Sequence, residues 1–350
     1  VRDQDAKNTV YSNNNAVRTM KRYMATFGET RDICQLAPNI LDGLLGRFFI
    51  EVRKIKNNEP YEPDCLSCMH RALSRYLLNN RYSYNILKDK EFATSRKVLA
   101  ARRKELRKMG YGGKPNKTRE LDDDEVDFLF TEGYFGQDCG ASVQRALWWY
   151  LSINCGFRGN DEARKLKWGD ISLEFDDKEK TEYLLWKKER GTKTRDGRDS
   201  EVPRAYSPTV YATGNEKCPI LFYKLFKEHR PKEMNASDRP FFLNVDWGKS
   251  KRDEIWYVRQ SMGVNTIGKI LSDAKKKFSL KGNVSNHSVR KTGISRLLDS
   301  DVPELYVAQH SGMKNIDSLG SYKVANKKNQ IKMSNILNNN VTNNRGSSTN

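Results

Sequence analysis

Four stretches carry side chains whose types suit chemistry on an anion. Gly156-Phe-Arg-Gly-Asn-Asp-Glu162 follows an apolar run and puts Arg158 at a helix end, near the core. Gly191-Thr-Lys-Thr-Arg195 puts Lys193 at or beside the tip of a turn. Asn286-His-Ser-Val-Arg-Lys-Thr292 puts His287 and Arg290 three residues apart, on one face if the segment is helical. Tyr322 stands alone after Gln309-His-Ser-Gly-Met-Lys-Asn-Ile-Asp-Ser-Leu-Gly-Ser. A guanidinium presents a planar fork to phosphate or carboxylate oxygens, and an imidazole changes charge near neutral pH. Taken singly, each of these residues is most often a surface or packing residue. His-x-x-Arg alone is a weak signal, and the ordered set is what carries weight.

Other chemistries lack their residues. No Gly-x-Gly-x-x-Gly or Walker A pattern supports nucleotide binding. No HExxH or EF-hand pattern occurs. Cys65-Leu-Ser-Cys68-Met-His70 offers a CxxCxH cluster, but no second pair completes a zinc site, so it reads as small core residues on a helix. The reading therefore calls for no metal and no cofactor.

The balance of charge is strongly basic. With 63 Lys+Arg against 44 Asp+Glu, the 350 residues carry a formal charge of +19, which favours a polyanionic partner: nucleic acid first, an anionic membrane surface second. The longest apolar run, Ala146–Ile153, is far below the roughly 20 residues of a spanning helix. Charged, polar residues 1–7 do not resemble a signal peptide, and six cysteines fit a reducing compartment. The chain does not begin with Met, so it could be a trimmed fragment.

The elements that must position these residues fall into two domains. Apolar residues recur with helical spacing from Thr9, from about Asn39 to Lys54, over Ser67–Leu78 and over Phe92–Met109. Four such helices make a small bundle over residues 1–113. Its last helix and the residues beyond are densely basic: Arg96, Lys97, Arg102, Arg103, Lys104, Arg107, Lys108, Lys114, Lys117 and Arg119 are opposed only by Glu105. Gly110-Tyr-Gly-Gly113 and Pro115 break the helix, which makes 114–120 a linker. The stripe reads either as a solvated face or as an arm tracking phosphates, and the charge of the whole chain favours the arm.

A second domain spans 121–325. The acid run Asp122–Glu125 reads as a helix start rather than a metal site. Val143–Cys155 is an apolar helix ended by Gly156. Ile171–Phe175, Tyr183–Trp186 and a return around Glu201-Val-Pro203 read as strands of one small antiparallel sheet. Helices follow over Pro219–His229 and Thr266–Phe278, and the rest to Tyr322 also reads as helical. Residues 326–350 form an Asn-rich tail that could hold a short helix (Ile331, Met333, Ile336, Leu337) before disorder. The fold class is thus a mainly α N-terminal bundle followed by a mainly helical α+β domain.

Arg, Lys, His-x-x-Arg and Tyr in this order, behind a helical domain, resemble the tyrosine recombinase (integrase) family. Cys155–Ile171 resembles the first-arginine box of the form found in eukaryotic Crypton elements. Glu189–Arg195 and Ser311–Lys323 resemble further family boxes, and Leu44–Leu78 resembles the helical domain of Crypton-derived proteins, including the vertebrate zinc-finger MYM-type group. The likeness covers about residues 5–325. It implies a SAM-like core-binding bundle, a recombinase catalytic domain, and double-stranded DNA as partner.

The resemblance also implies roles. Arg158 and Arg290 match the paired arginines on the scissile phosphate. Tyr322 matches the nucleophile that leaves a 3′-phosphotyrosine and a free 5′-hydroxyl. A free tyrosine, with a pKa of about 10, needs a base or cationic surroundings to do this. His287 matches the proton-handling residue, and Lys193 the hairpin lysine that protonates the leaving oxygen. Glu162, or Asp161, matches the acid that orients the first arginine, with one extra residue in between relative to the common bacterial pattern. One position departs. The family usually carries His or Trp nine residues before the tyrosine, where this chain has Met313. Met can pack there but cannot donate to a phosphate.

Two classes of function follow. The first is a Crypton-type recombinase that cleaves and rejoins DNA in the nucleus, as a homo-tetramer on two sites, with a monomer allowed without DNA and no membrane partner. The second is a domesticated, catalytically weak or dead DNA-binding or scaffold protein, which Met313 motivates. A type IB topoisomerase shares the chemistry but not the two-domain layout.

Overall fold

Amphipathic helices account for the first unit. The computed structural model describes residues 7–113, 117–157, 160–189, 207–313, 315–323 and 327–338. The chain divides into two compact units, residues 1–116 and 117–350. In the first, α1 (Lys7–Ala25), α2 (Pro38–Glu51), α3 (Pro63–Asn79) and α4 (Ala93–Lys108) turn their apolar stripes inward. Met20, Leu41, Phe48, Phe49, Leu73, Phe92 and Leu106 form one buried core there. Proline opens both α2 and α3, where its missing N–H costs nothing because the first-turn N–H groups have no helical acceptor. That is why α3 begins at Pro63, a turn before its apolar stripe.

The CxxCxH segment splits across α3. Cys65 and Cys68 are exposed. His70, two residues and therefore about 200° further round the helix, is buried edge-on against Phe49 with ring centroids 5.3 Å apart. Burial, with the charge of Arg96 nearby, pushes its pKa down to about 4. Among the described residues, no three His, Cys, Asp or Glu side chains gather as a metal site, and no helix is long and apolar enough to cross a membrane.

In the second unit α5 (Asp123–Thr131) starts on a capping box. Asp122 accepts from the Glu125 N–H at 2.8 Å, and the Glu125 carboxylate accepts in return from the Asp122 N–H. The acid run is therefore a helix start. Next, α6 (Gly140–Asn154) is apolar nearly all round and lies in the core, with Trp148, Trp149 and Leu151 buried. The short helix α7 (Asn160–Lys165) leads to a three-stranded antiparallel sheet. Its strands are β1 (Ile171–Asp176), β2 (Thr181–Trp186) and β3 (Thr209–Tyr211), in the order β1-β2-β3. Ile171 pairs with Trp186, and Leu184 with Val210. The return expected at 201–203 lies outside the described residues.

Helix α8 (Pro219–Glu228) packs on α6, and β4 (Leu243–Val245) with β5 (Tyr257–Ser261) makes a second antiparallel pair. This second sheet corrects the expectation that everything after residue 219 is helical. Its outer β4 edge is closed by a buried side chain: Gln144 accepts from the Leu243 N–H at 2.8 Å and donates to the Leu243 carbonyl at 2.9 Å. A side-chain amide thus replaces a strand neighbour.

The helix expected over Thr266–Phe278 is two, α9 (Val264–Gly268) and α10 (Ile270–Phe278). The buried Asn286 amide fills the break, accepting from the Leu271 N–H and donating to the Ile267 carbonyl. Two further helices, α11 (His287–Asp299) and α12 (Glu304–His310), precede a 3-10 turn over Ile316–Ser321, and α13 (Lys327–Leu337) follows. The 339–350 tail lies outside the described residues.

Candidate active site

Helix α11 carries two of the expected residues, His287 and Arg290. Asn286 anchors its start, so His287 is exposed at the first turn while Ser288, Val289 and Arg290 point inward. Arg290 is only 8% exposed. Its Nη1 donates to the Gly156 carbonyl at 2.5 Å, and its Nη2 donates to the Ser311 carbonyl at 2.7 Å. Gly156 lies two residues before Arg158, and Ser311 two before Met313. One guanidinium therefore ties together the approaches to both other motif segments.

The backbone at that point allows nothing larger than glycine. Gly156 has φ +63°, and a Cβ there would sit 2.9 Å from the His310 carbonyl oxygen and 3.1 Å from the Ser311 Cα. The positive φ ends α6, and the bare Cα lets the end of α12 approach. His310, in turn, has its Nε2 3.2 Å from the Ile153 carbonyl in the last turn of α6. It is thus engaged at the α6–α12 contact and does not occupy the position nine residues before Tyr322.

Tyr322 follows the 3-10 turn rather than lying within a long helix. It is half-buried against a small cluster of Ile294, Val307, Ala308 and Leu319, and Met313 packs against the same cluster. Met313 thus serves as an apolar support on the Tyr322 side of α11. Glu162 in α7 is 5% exposed. The side chain of Asp161 lies outside the described residues, as do Arg158 and Lys193. The Phe157 ring meets the Trp186 ring edge-on at 5.1 Å. Phe157 directly precedes Arg158, and Trp186 ends the strand before the Lys193 segment.

The basic stripe divides by local contacts. Arg102 is buried and paired with Glu105 at 2.6 Å. Arg96 donates to the carbonyls of Ile86 and Asp89. Arg103 and Arg107 share Asp64, at 3.2 and 3.7 Å. Arg119 is held within the second unit by Glu125 and by the Lys281 carbonyl. Lys97, Lys104, Lys108 and Lys117 are exposed with no ion pair among the described residues. Lys114 lies outside them. Spacing alone could not make this division, because every stripe residue is a cation on or beside one helix.

The sequence reading missed the buried Arg230. It stacks over Trp168, 4.1 Å from the ring centroid, and donates to the carbonyls of Met234, Pro240 and Phe241. Burial pushes its pKa down to about 10. Its partners, these carbonyls and the Asn235 side-chain oxygen at 3.2 Å, all lie between 231 and 241, so it braces that segment.

A family model described as a domain of unknown function, DUF3504, matches residues 123–276. An uncharacterized human protein, KIAA1958, is 25% identical over 299 residues, covering 84% of this chain and 41% of its own length. Its mouse homologue matches to the same extent. The chain thus spans about two fifths of the relatives it matches. Among solved structures, the Tn1549 transposon integrase in complex with transposon right end DNA superposes with a TM-score of 0.50 at 13% identity, covering 96% of both chains. A lambda integrase dimer bound to a core site gives a TM-score of 0.50 at 14% identity, covering 92% of this chain and 73% of that one. With its helical N-terminal region and its small antiparallel sheets among helices, the chain has the fold of the tyrosine recombinases and integrases.

Proposed function

We propose that this chain cleaves and rejoins DNA through a covalent phosphotyrosine, as a recombinase of Crypton type. The observation that supports the reading is Arg290, whose side chain bridges the carbonyls of Gly156, two residues before Arg158, and Ser311, eleven before Tyr322. Guanidinium groups neutralise the non-bridging oxygens of a phosphodiester, and their planar forks suit it. The Tyr322 hydroxyl attacks phosphorus, its proton passes to His287 acting as the base, and the 5′-oxygen leaves with a proton from Lys193. The phosphotyrosine keeps the bond energy, so the reverse attack by another 5′-hydroxyl rejoins strands without a nucleotide cofactor.

Four subunits on two duplexes fit this chemistry, and α13, with Ile331, Ile336 and Leu337 exposed, suits packing on a neighbouring copy. The site of action would be the nucleus. A second reading, a scaffold that keeps the fold and binds duplex DNA without cutting it, is favoured by Met313, which supplies no hydrogen-bond donor. A nicked duplex carrying the native flanking DNA separates the two. A detergent-resistant protein–DNA adduct supports the recombinase, and salt-dependent binding without any adduct supports the scaffold.

A further inference from the structure

Arg119 belongs to the basic stripe, yet its donors are engaged within the second unit. Its Nε donates to the Lys281 carbonyl at 2.8 Å, and its Nη1 to the Glu120 carbonyl at 2.7 Å. Nη1 and Nη2 together grip the Glu125 carboxylate at 2.6 and 2.5 Å. Its backbone N–H donates to Asn283 at 2.9 Å. Gly282, at φ +74°, lies so close that a Cβ there would come within 3.0 Å of Nε. A guanidinium held this way has little left to offer a phosphate.

The residues after Arg119 run along α11. Glu120 pairs with Lys291 at 3.0 Å. The Leu121 N–H donates to the Thr292 hydroxyl at 2.9 Å, with both residues buried. Asp123 pairs with Arg296. Segment 119–123 is therefore fastened to the loop before His287 and to three positions beyond Arg290. Lys117, exposed and unpaired among the described residues, stands two residues upstream.

We propose that Arg119 is a positioning residue: it fastens the segment entering the second unit to α11, so that duplex contact at Lys117 sets the alignment of His287 and Arg290. This rests on the reading that α11 carries those two groups in strand cleavage. Load on the junction passes through the Arg119–Glu125 and Leu121–Thr292 contacts into the catalytic helix. A misplacement of about 1 Å is enough to cost on the order of 10²-fold in rate.

The test uses the full chain with a nicked duplex of native flanking DNA, and the variants Arg119→Ala, Arg119→Lys and Thr292→Val. Three quantities are read: duplex affinity against salt, adduct rate at saturating duplex, and amide hydrogen exchange over residues 283–292 with and without duplex. Arg119→Ala is expected to keep the affinity and salt slope of wild type. It should slow the adduct by about ten- to a hundredfold and abolish the duplex-induced protection of α11, and Arg119→Lys should recover part of both. If Arg119→Ala does not fold, Thr292→Val carries the same expectation without changing any charge. A loss of affinity and salt slope with an unchanged saturated rate makes Arg119 a phosphate contact and overturns the proposal. If wild type forms no adduct, the cleavage reading fails, and exchange still decides the coupling. Protection present in wild type and lost in the variants upholds it. Protection unchanged by the variants, or absent from wild type, overturns it.

Discussion

The Nη1 of Arg290 donates to the carbonyl of Gly156, 134 residues earlier in the chain, at 2.5 Å. The bond joins the inner face of α11 to the turn that leads into Arg158, and the companion bond to Ser311 extends it toward Tyr322. A buried cation needs partners, because leaving it unsatisfied costs several kcal/mol. Here the carbonyls of Gly156 and Ser311 accept from the two ends of the guanidinium.

Gly156→Ala tests that junction. The new methyl meets the His310 carbonyl and must also adopt φ +63°, which together should cost roughly 2–3 kcal/mol. Denaturant unfolding of the full chain reads the loss. An unchanged midpoint would show that α6 and α12 do not meet as described.

The basic stripe predicts two kinds of mutant. Removing Lys97, Lys104, Lys108 or Lys117 should leave stability within about 0.5 kcal/mol, and for each that contacts a phosphate should flatten the slope of log affinity against log salt by about 0.9. Arg102→Ala should do the reverse, lowering stability because Arg102 is itself buried and paired with Glu105, with little change in slope. Salt titrations of duplex binding beside thermal melts check both, and equal slopes across all five variants would contradict the division.

His70 predicts a pH dependence. Its folded pKa of about 4 lies below the ordinary value of about 6.5. Between these values the unfolded chain binds the extra proton, so stability is full above about pH 6.5 and falls as pH drops toward 4. This component is at most roughly 3.4 kcal/mol. His70→Phe should remove this component, and unfolding curves at pH 7 and pH 5 for the two proteins measure it. A pH profile identical in wild type and variant would contradict a buried neutral imidazole.

Met313→His restores a donor beside the Tyr322 cluster. If the chain is an enzyme weakened at this position, adduct formation should rise by up to about 10²-fold. The new imidazole would also replace a packing side chain, so a small loss of thermal stability is expected. Absence of an adduct in both versions would favour the scaffold.

Where each reading succeeded follows from how local its cause is. Helices α1 to α4 and α6 were legible because an apolar stripe or a fully apolar run leaves its period in the sequence, and α5 because its acid cap is adjacent. The β4–β5 pair was not: β4 has three residues, and its stability comes from Gln144, about a hundred residues away. The break between α9 and α10 was hidden for the same reason, since Asn286 completes it from a later segment. At the site, the order of Arg, His-x-x-Arg and Tyr was readable. The double carbonyl clamp on Arg290 was not, because backbone acceptors carry no residue signature. Arg102 and Arg119 looked like Lys97 and Lys117 until their acid partners were placed around them.

The most direct measurement is the chemistry of the adduct itself. Wild type and Tyr322→Phe are each incubated with the nicked duplex and digested, and any nucleotide-bearing peptide is sequenced by mass spectrometry. The account predicts one cross-linked peptide, in wild type only, with the 3′-phosphate of the DNA esterified to Tyr322. A cross-link to another residue, a 5′-phosphate linkage, or an undiminished adduct in Tyr322→Phe would contradict it.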